Sequence, residues 1–174
     1  MKKALIVVDM QNDFITGALA NTEGQKIVSA IAELVKNFDG DIIVTRDTHK
    51  DNYLNTQEGR RLPVVHCIEG TEGWQIMPEI QAALDAKPAG TVTYINKPTF
   101  GDVGLGELVA RKLYDAVELC GVCTDICVIS NAMVIKACAI ETNVAVYKDL
   151  CAGVTPDTHK TALDAMAGCQ IDII

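Results

Sequence analysis

Three residues far apart in the chain fall after short apolar runs that read as strands: Asp9 directly, Lys97 shortly after, and Cys127 near the start of the helix that follows the third run. A thiol near a helix N-terminus gains thiolate character from free N–H groups and the helix dipole. A lysine ammonium beside it pushes the same way. An aspartate within reach can take the thiol proton as a base and later return it to a leaving group as an acid. Backbone N–H groups around Cys123 and Cys127 are then candidates for an oxyanion hole. Each residue also has an ordinary reading, as a buried helix cysteine, a turn aspartate or a surface lysine. A shared location would separate the two readings.

A second set lies between residues 46 and 66. Asp47-x-His49, Glu58 and His66 offer carboxylate and imidazole ligands, a donor set suited to Zn²⁺ first and to Mn²⁺ or Fe²⁺ as well. The spacing is loose, and loop hydrogen bonds or a core histidine at position 66 are the competing readings. His159, on the last helical segment, reads as unrelated to either set. Cys120-x-x-Cys123 lies at a strand end with no fourth ligand nearby, so small apolar packing is favoured over redox or cluster chemistry. Phe14, Trp74 and Phe100 fall in loops near the proposed site, where a planar substrate could stack. The glycines at 101, 104 and 106 match neither a dinucleotide fingerprint nor a Walker sequence.

Positioning these residues requires strands that end near one another. Ala4–Val8 is a short, continuous apolar run of the kind found in a strand covered on both faces. Ile27, Val28, Ile31, Leu34, Val35 and Phe38 recur at helical period, with Thr22 and Gln25 spaced as a capping box and Gly40 as the stop. Strands are predicted at Ile42–Val44, Thr91–Ile95, Ala116–Leu119, Asn143–Tyr147 and Ile171–Ile174. Helices are predicted at Pro78–Ala86, Leu105–Leu113, from within 120–127 to Cys138, and after Thr155-Pro156. The polar stretch Arg46–Arg61 is long for a connection and reads as a functional loop. The alternation predicts one domain over residues 1–174, a three-layer α/β/α sandwich with a parallel, Rossmann-like sheet. Ligands in such folds bind beyond the carboxyl ends of the strands, which is where Asp9, Asp47, Lys97 and Cys127 fall.

Composition narrows the function classes. The chain has 174 residues, enough to bury a core without a metal or disulfide to staple it. Its 23 acidic against 15 basic residues leave a net charge of -8, which argues against nucleic acid or an anionic membrane surface as partner. No apolar run is long enough to span a bilayer. The seven cysteines are an odd count and most sit in apolar stretches, such as Cys138 and Cys169, so reduced thiols in the cytoplasm are expected, some of them merely packing.

Asp9-Met10-Gln11-Asn12-Asp13-Phe14 with Gly17-Ala18-Leu19, then Lys97-Pro98, then Gly121-Val122-Cys123-Thr124-Asp125-Ile126-Cys127-Val128, resemble the three signatures of the isochorismatase-like cysteine hydrolases over nearly the whole chain. The resemblance implies a catalytic set of Asp9, Lys97 and Cys127, and a non-proline cis peptide between Val122 and Cys123. Cys123 stands where the family usually has a small residue. Asp47-x-His49 and His66-Cys67 with Gly70-Thr71 resemble the metal loop of the nicotinamidase/pyrazinamidase branch. That branch's further histidine is absent, with Asn52 and Tyr53 in its place, and Glu58 is its expected substitute. The resemblance implies hydrolysis of the carboxamide of nicotinamide or a similar small molecule, a substrate pocket including Phe14, Leu19, Trp74 and Phe100, a divalent metal with Zn²⁺ foremost, and a homodimer or tetramer. Two other readings stay open: a metal-free hydrolase of a vinyl ether, ureido or carbamoyl substrate, and a non-catalytic binding protein on the same fold.

Overall fold

A computed structural model describes all residues 1–174. Six strands form one sheet in the order β3-β2-β1-β4-β5-β6, every neighbouring pair parallel. They are β1 (Lys3–Val8), β2 (Asp41–Asp47), β3 (Val92–Lys97), β4 (Ala116–Val122), β5 (Asn143–Ala152) and β6 (Asp172–Ile173). Seven helices accompany them: α1 (Asn12–Ile15), α2 (Thr22–Asn37), α3 (Gln57–Arg61), α4 (Pro78–Asp85), α5 (Val103–Lys112), α6 (Ile129–Cys138) and α7 (Pro156–Gly168).

Alternation along β1 divides the core in two. Ala4, Ile6 and Val8 face a cluster with Leu105, Val109, Ala132, Ile135 and Met166, from the α5, α6 and α7 side. Leu5 and Val7 face Ile27, Val28, Ile31, Val35, Ile80 and Leu84, from α2 and α4. Ala4 through Val8 are all fully buried, so this strand is apolar throughout because both faces are covered. Full burial of each Val, Leu or Ile contributes about 1.5–3 kcal/mol.

Strand register performs the long-range positioning. Val8 lies opposite Thr45 on one side and Gly121 on the other, while Asp47 lies opposite Lys97. The ends of β1, β2, β3 and β4 therefore meet at one edge. The strand order reverses between β1 and β4, which opens a crevice at that edge. Gly121 permits the closest approach there. Its φ is +123°, and a Cβ would lie 2.1 Å from the Val8 carbonyl oxygen, so no other residue fits.

Several local expectations are corrected. The cap of α2 is Asn21 and not Thr22. Its Oδ1 accepts from the N–H groups of Glu23 and Gly24 at 3.0 and 3.1 Å, while its Nδ2 donates to Gly153 O at 2.9 Å. The Gln25 side chain donates to Ile15 O instead of closing a capping box. The capping box that does form joins Thr155 and Thr158 at the start of α7. The polar stretch after β2 carries a 3₁₀ turn at Tyr53–Asn55 and the short helix α3. Strand β5 runs five residues past Tyr147, and Lys148 and Asp149 lie within a register irregularity between the Val146–Leu119 and Cys151–Gly121 pairs. All seven cysteines are free, but Cys138 and Cys169 are exposed and do not serve as core packing. No helix is long and apolar enough to cross a membrane.

Candidate active site and metal centre

The end of β1 turns abruptly at Asp9, whose φ of +49° is left-handed, a conformation that aspartate tolerates better than most residues. The fully buried carboxylate accepts a hydrogen bond from Thr45 Oγ1 at 2.6 Å. Lys97, the last residue of β3, is also fully buried, and its Nζ lies 2.6 Å from Asp9 Oδ2. This contact is a close ion pair and not an aligned hydrogen bond, since Oδ2 accepts none. The ammonium instead directs N–H groups to Thr99 O at 3.2 Å and to Cys127 Sγ at 3.4 Å.

Cys127 lies in a π-type turn, Thr124–Val128, that leads into α6. The Val122–Cys123 peptide is cis. The Cys123 N–H donates to no backbone acceptor, whereas the Cys123 carbonyl receives the N–H groups of Ile126 and Val128. Thr124 is fully buried, and its Oγ1 lies 2.7 Å from His159 Nδ1. The histidine set apart by its sequence position thus packs on the cysteine turn. Cys120 is fully buried at the end of the strand below, its thiol pushed up by desolvation and by Cys151.

Electrostatics at the triad differ from the simple dipole expectation. Desolvation pushes the Cys127 thiol well up and the nearby Asp9 carboxylate adds to this, so that both outweigh Lys97. Burial also raises Asp9, against the pull of Lys97. Burial would lower Lys97, but Asp9, Cys127 and Asp47 hold it strongly protonated. A thiolate and a carboxylate in contact penalise each other, so the pair carries one negative charge and shares one proton. The Lys97 ammonium neutralises that charge on either partner.

The second set also converges. Ligand atoms of Asp47, His49, Glu58 and His66 lie within 4.8 Å of one another. His49 Nε2 is 2.8 Å from Asp47 Oδ2 and 3.7 Å from Glu58 Oε1. His66 Nε2 is 3.4 and 3.9 Å from the same two oxygens. His49 is set by backbone pairing, its N–H donating to Cys67 O and its carbonyl accepting from Glu69 N, which fixes it beside the segment that carries His66. Glu58 rides on α3, capped by Thr56 Oγ1 to Gly59 N at 3.0 Å. Tyr53 packs against both imidazoles, with ring centroids at 4.6 and 5.0 Å. Hence Tyr53 is a wall of this cluster, and Glu58 supplies its fourth candidate ligand atom.

A divalent metal fits this donor set. His66 Nδ1 lies 2.8 Å from Val64 O, which makes Nδ1 the protonated nitrogen and leaves the Nε2 lone pair facing the cluster. His49 Nε2 is buried and makes no hydrogen bond. It faces Asp47 Oδ2 at 2.8 Å without hydrogen-bond alignment, so its lone pair is also free to meet an ion at the centre. Burial would raise the Asp47 carboxyl, but His49, His66 and Lys97 outweigh it and hold the group well below the ordinary range. Burial and the nearby Asp47 raise Glu58. An open depression of about 500 Å³ borders the cluster at His49, Lys50, Asp51, Asn52, Ile68 and Glu69. Lys97 Nζ lies 3.9 Å from Asp47 Oδ1, so the Asp9–Lys97–Cys127 group and the candidate metal-binding cluster adjoin.

Phe14 is half-buried on α1, with its ring centroid 5.5 Å from that of His66. Leu19 is half-buried in the following loop. Trp74 is buried beneath the Arg46 guanidinium at 3.9 Å, and its Nε1 donates to Thr48 Oγ1. Phe100 is 46% exposed in the loop after β3, so it extends towards solvent while Phe14 faces the metal cluster. Sequence reasoning missed Gln11. This buried side chain accepts from Asp47 N at 2.7 Å and donates to the carbonyls of Asp47 and Trp74, both at 2.9 Å. Its one available signal is a polar residue two positions after a strand-end aspartate.

Residues 3–174 match the isochorismatase domain. The chain belongs to the isochorismatase family. It is 30% identical over 184 residues to the nicotinamidase/pyrazinamidase of Mycobacterium tuberculosis, covering 99% of this chain and 98% of that protein. The crystal structure of the Pyrococcus horikoshii pyrazinamidase in complex with zinc superposes with a TM-score of 0.81 at 28% identity, over 100% of this chain and 99% of the other. The pyrazinamidase/nicotinamidase of Streptococcus mutans gives 0.85 at 25% identity, over 99% and 100%. Amide hydrolysis at a C–N bond is the activity that this family membership and these relatives support.

Proposed function

We propose that the chain hydrolyses the carboxamide of nicotinamide or a closely similar small amide, giving carboxylate and ammonia through a thioester on Cys127. The observation that carries this reading is the Lys97 ammonium, 2.6 Å from the Asp9 carboxylate and 3.4 Å from the Cys127 sulfur in a buried site. The thiol proton passes to Asp9 as sulfur bonds to the amide carbon, and the carbonyl electrons move to oxygen. That oxygen meets the N–H groups of Cys123 and Cys127. Collapse breaks the C–N bond, and Asp9 hands its proton to the departing nitrogen. Water then loses a proton to Asp9 and attacks the thioester, and the sulfur leaves and recovers that proton. Throughout, one negative charge stays beside Lys97, so the buried site never carries an uncompensated charge.

Asp47, His49, Glu58 and His66 would hold the metal, Zn²⁺ foremost. When bound, it supplies a Lewis-acid site suited to a ring nitrogen or a water molecule. Phe14, Leu19, Trp74 and Phe100 are assigned to the substrate pocket, Phe14 closest to the cluster. A metal-free version of the hydrolase would leave two imidazoles and two carboxylates converging within 4.8 Å with no ion to bind, and a pure binding protein would have no use for the buried triad.

The test is ammonia release over a panel of small amides with nicotinamide included, on wild type and Cys127→Ala. Turnover of nicotinamide and its loss in a folded Cys127→Ala protein are expected. Retained turnover in that variant removes the mechanism.

A further inference from the structure

Asn131 is fully buried on the first turn of α6, four residues after Cys127. Its amide Nδ2 donates to Cys127 O at 2.9 Å and to Phe100 O at 3.2 Å, and its Oδ1 accepts from Asp102 N at 3.0 Å. One side chain thus joins the cysteine turn to the loop that follows Lys97. That loop is the one whose Thr99 carbonyl receives the Lys97 ammonium at 3.2 Å. The contacts close a circuit from Lys97 through Thr99, the loop, Asn131 and Cys127 back to the ammonium at 3.4 Å. The same junction is tight at a second point, where a Cβ on Gly101 would lie 3.0 Å from the Ser130 backbone. Asparagine is a weak helix former, and here its amide is engaged outside the helix as well as on the preceding turn.

We propose that Asn131 is a positioning residue that sets the separation of the Lys97 ammonium from the Cys127 sulfur by locking the 98–102 loop to the cysteine turn. It touches neither substrate nor reacting atoms and acts through the two elements it joins. The inference rests on the cysteine mechanism proposed above. Asn131 contacts none of the four candidate metal ligands, so bound metal is expected to be unchanged by its loss.

Asn131→Ala and Gly101→Ala perturb the junction from opposite sides. Each is measured for kcat and KM of ammonia release from nicotinamide, for bound metal, and for the pH dependence of Cys127 alkylation by iodoacetamide. Fragment-ion mass spectrometry distinguishes Cys127 from Cys120 and Cys123 in the same peptide. The expected result for Asn131→Ala is a kcat at least tenfold lower, KM within threefold, unchanged metal content, and an alkylation midpoint at least half a pH unit higher. Gly101→Ala shifts both readouts the same way by less, and it carries the test if Asn131→Ala does not fold. A loss of thermal stability alone, with kcat and the alkylation profile of wild type well below melting, overturns the inference. So does a lower kcat with an unchanged profile. Cys127→Ala separates the two levels. If it is inactive while Asn131→Ala equals wild type, only this inference falls, and if it remains active both fall.

Discussion

Replacing Lys97 with Met tests the charge logic of the site directly. Methionine keeps the length and apolar stem of the side chain and removes only the ammonium. At an effective dielectric of about 20, a charge at the 2.6 Å Asp9 distance interacts with the ammonium by roughly 6 kcal/mol, and one at the 3.4 Å Cys127 distance by roughly 5 kcal/mol. The two values are close. Lys97 therefore does little to drive the proton from sulfur to Asp9. Its work is to let the buried pair carry a negative charge at all. Without it, the pair retains its second proton near neutral pH, leaving a neutral carboxyl unable to accept from a neutral thiol. A loss of about 5 kcal/mol corresponds to more than a thousandfold in rate. The sign follows from the active form, which has one proton fewer than the inactive one. Removing the cation raises the pKa of the pair, already raised by burial at both Asp9 and Cys127. Activity should therefore climb about tenfold per pH unit in the variant across a range where wild type is flat. The assay is ammonia release from pH 6 to 10, with circular dichroism at each pH to confirm folding. Activity within tenfold of wild type at pH 7, or a profile parallel to it, would refute the reasoning.

Two further outcomes follow from other parts of the structure. His49→Ala deletes the orphaned nitrogen and one of the four converging ligands; metal content measured by mass spectrometry should fall well below one equivalent, with thermal stability less sensitive to chelator than in wild type. Gly121→Ala places a methyl group 2.1 Å from the Val8 carbonyl at a φ of +123°; overpacking and backbone strain together should destabilise by about 3 kcal/mol or more in urea unfolding, with activity falling because β1 and β4 carry Asp9 and the cysteine turn.

Much of the fold could be read because its physics is local. A parallel sheet covered on both faces needs uninterrupted apolar runs, and Ala4–Val8 of β1 and Ile42–Val44 of β2 are such runs. The elements that were missed lack such a signature. Helix α3 and the turn at Tyr53–Asn55 bury one face of Tyr53 and Gly59 but have no apolar period. Their shape comes from Thr56 capping and from packing against two imidazoles. The extension of β5 through Lys148 and Asp149 is set by pairing on both sides, not by its own residues: Lys148 N–H donates to Ile174 O, and Cys151 and Ala152 pair again with Gly121 and Val122 of β4. The sequence points to Thr22 as cap because a glutamine stands three residues on, but Asn21 beside it holds that position. Asparagine wins that position because its amide makes bonds in two directions, to the helix and to Gly153, which a hydroxyl of that length cannot reach together.

The site divides along the same line. Which residues meet was legible, since strand ends in a parallel sheet share an edge whatever their separation in sequence. Their protonation was not. A helix N-terminus and a lysine both favour a thiolate, and sequence alone gives no measure of desolvation. The structure does: Asp9 and Lys97 are fully buried and Cys127 is 6% exposed. At that depth the cost of an unshared anion exceeds the help of a dipole, so the stable arrangement is one charge held between two groups and one cation fixed beside both. A reaction that only relocates this charge avoids paying for desolvation twice. Under the proposed mechanism, that is how a buried thiol with a raised pKa would still serve as nucleophile, provided its proton has a carboxylate to go to.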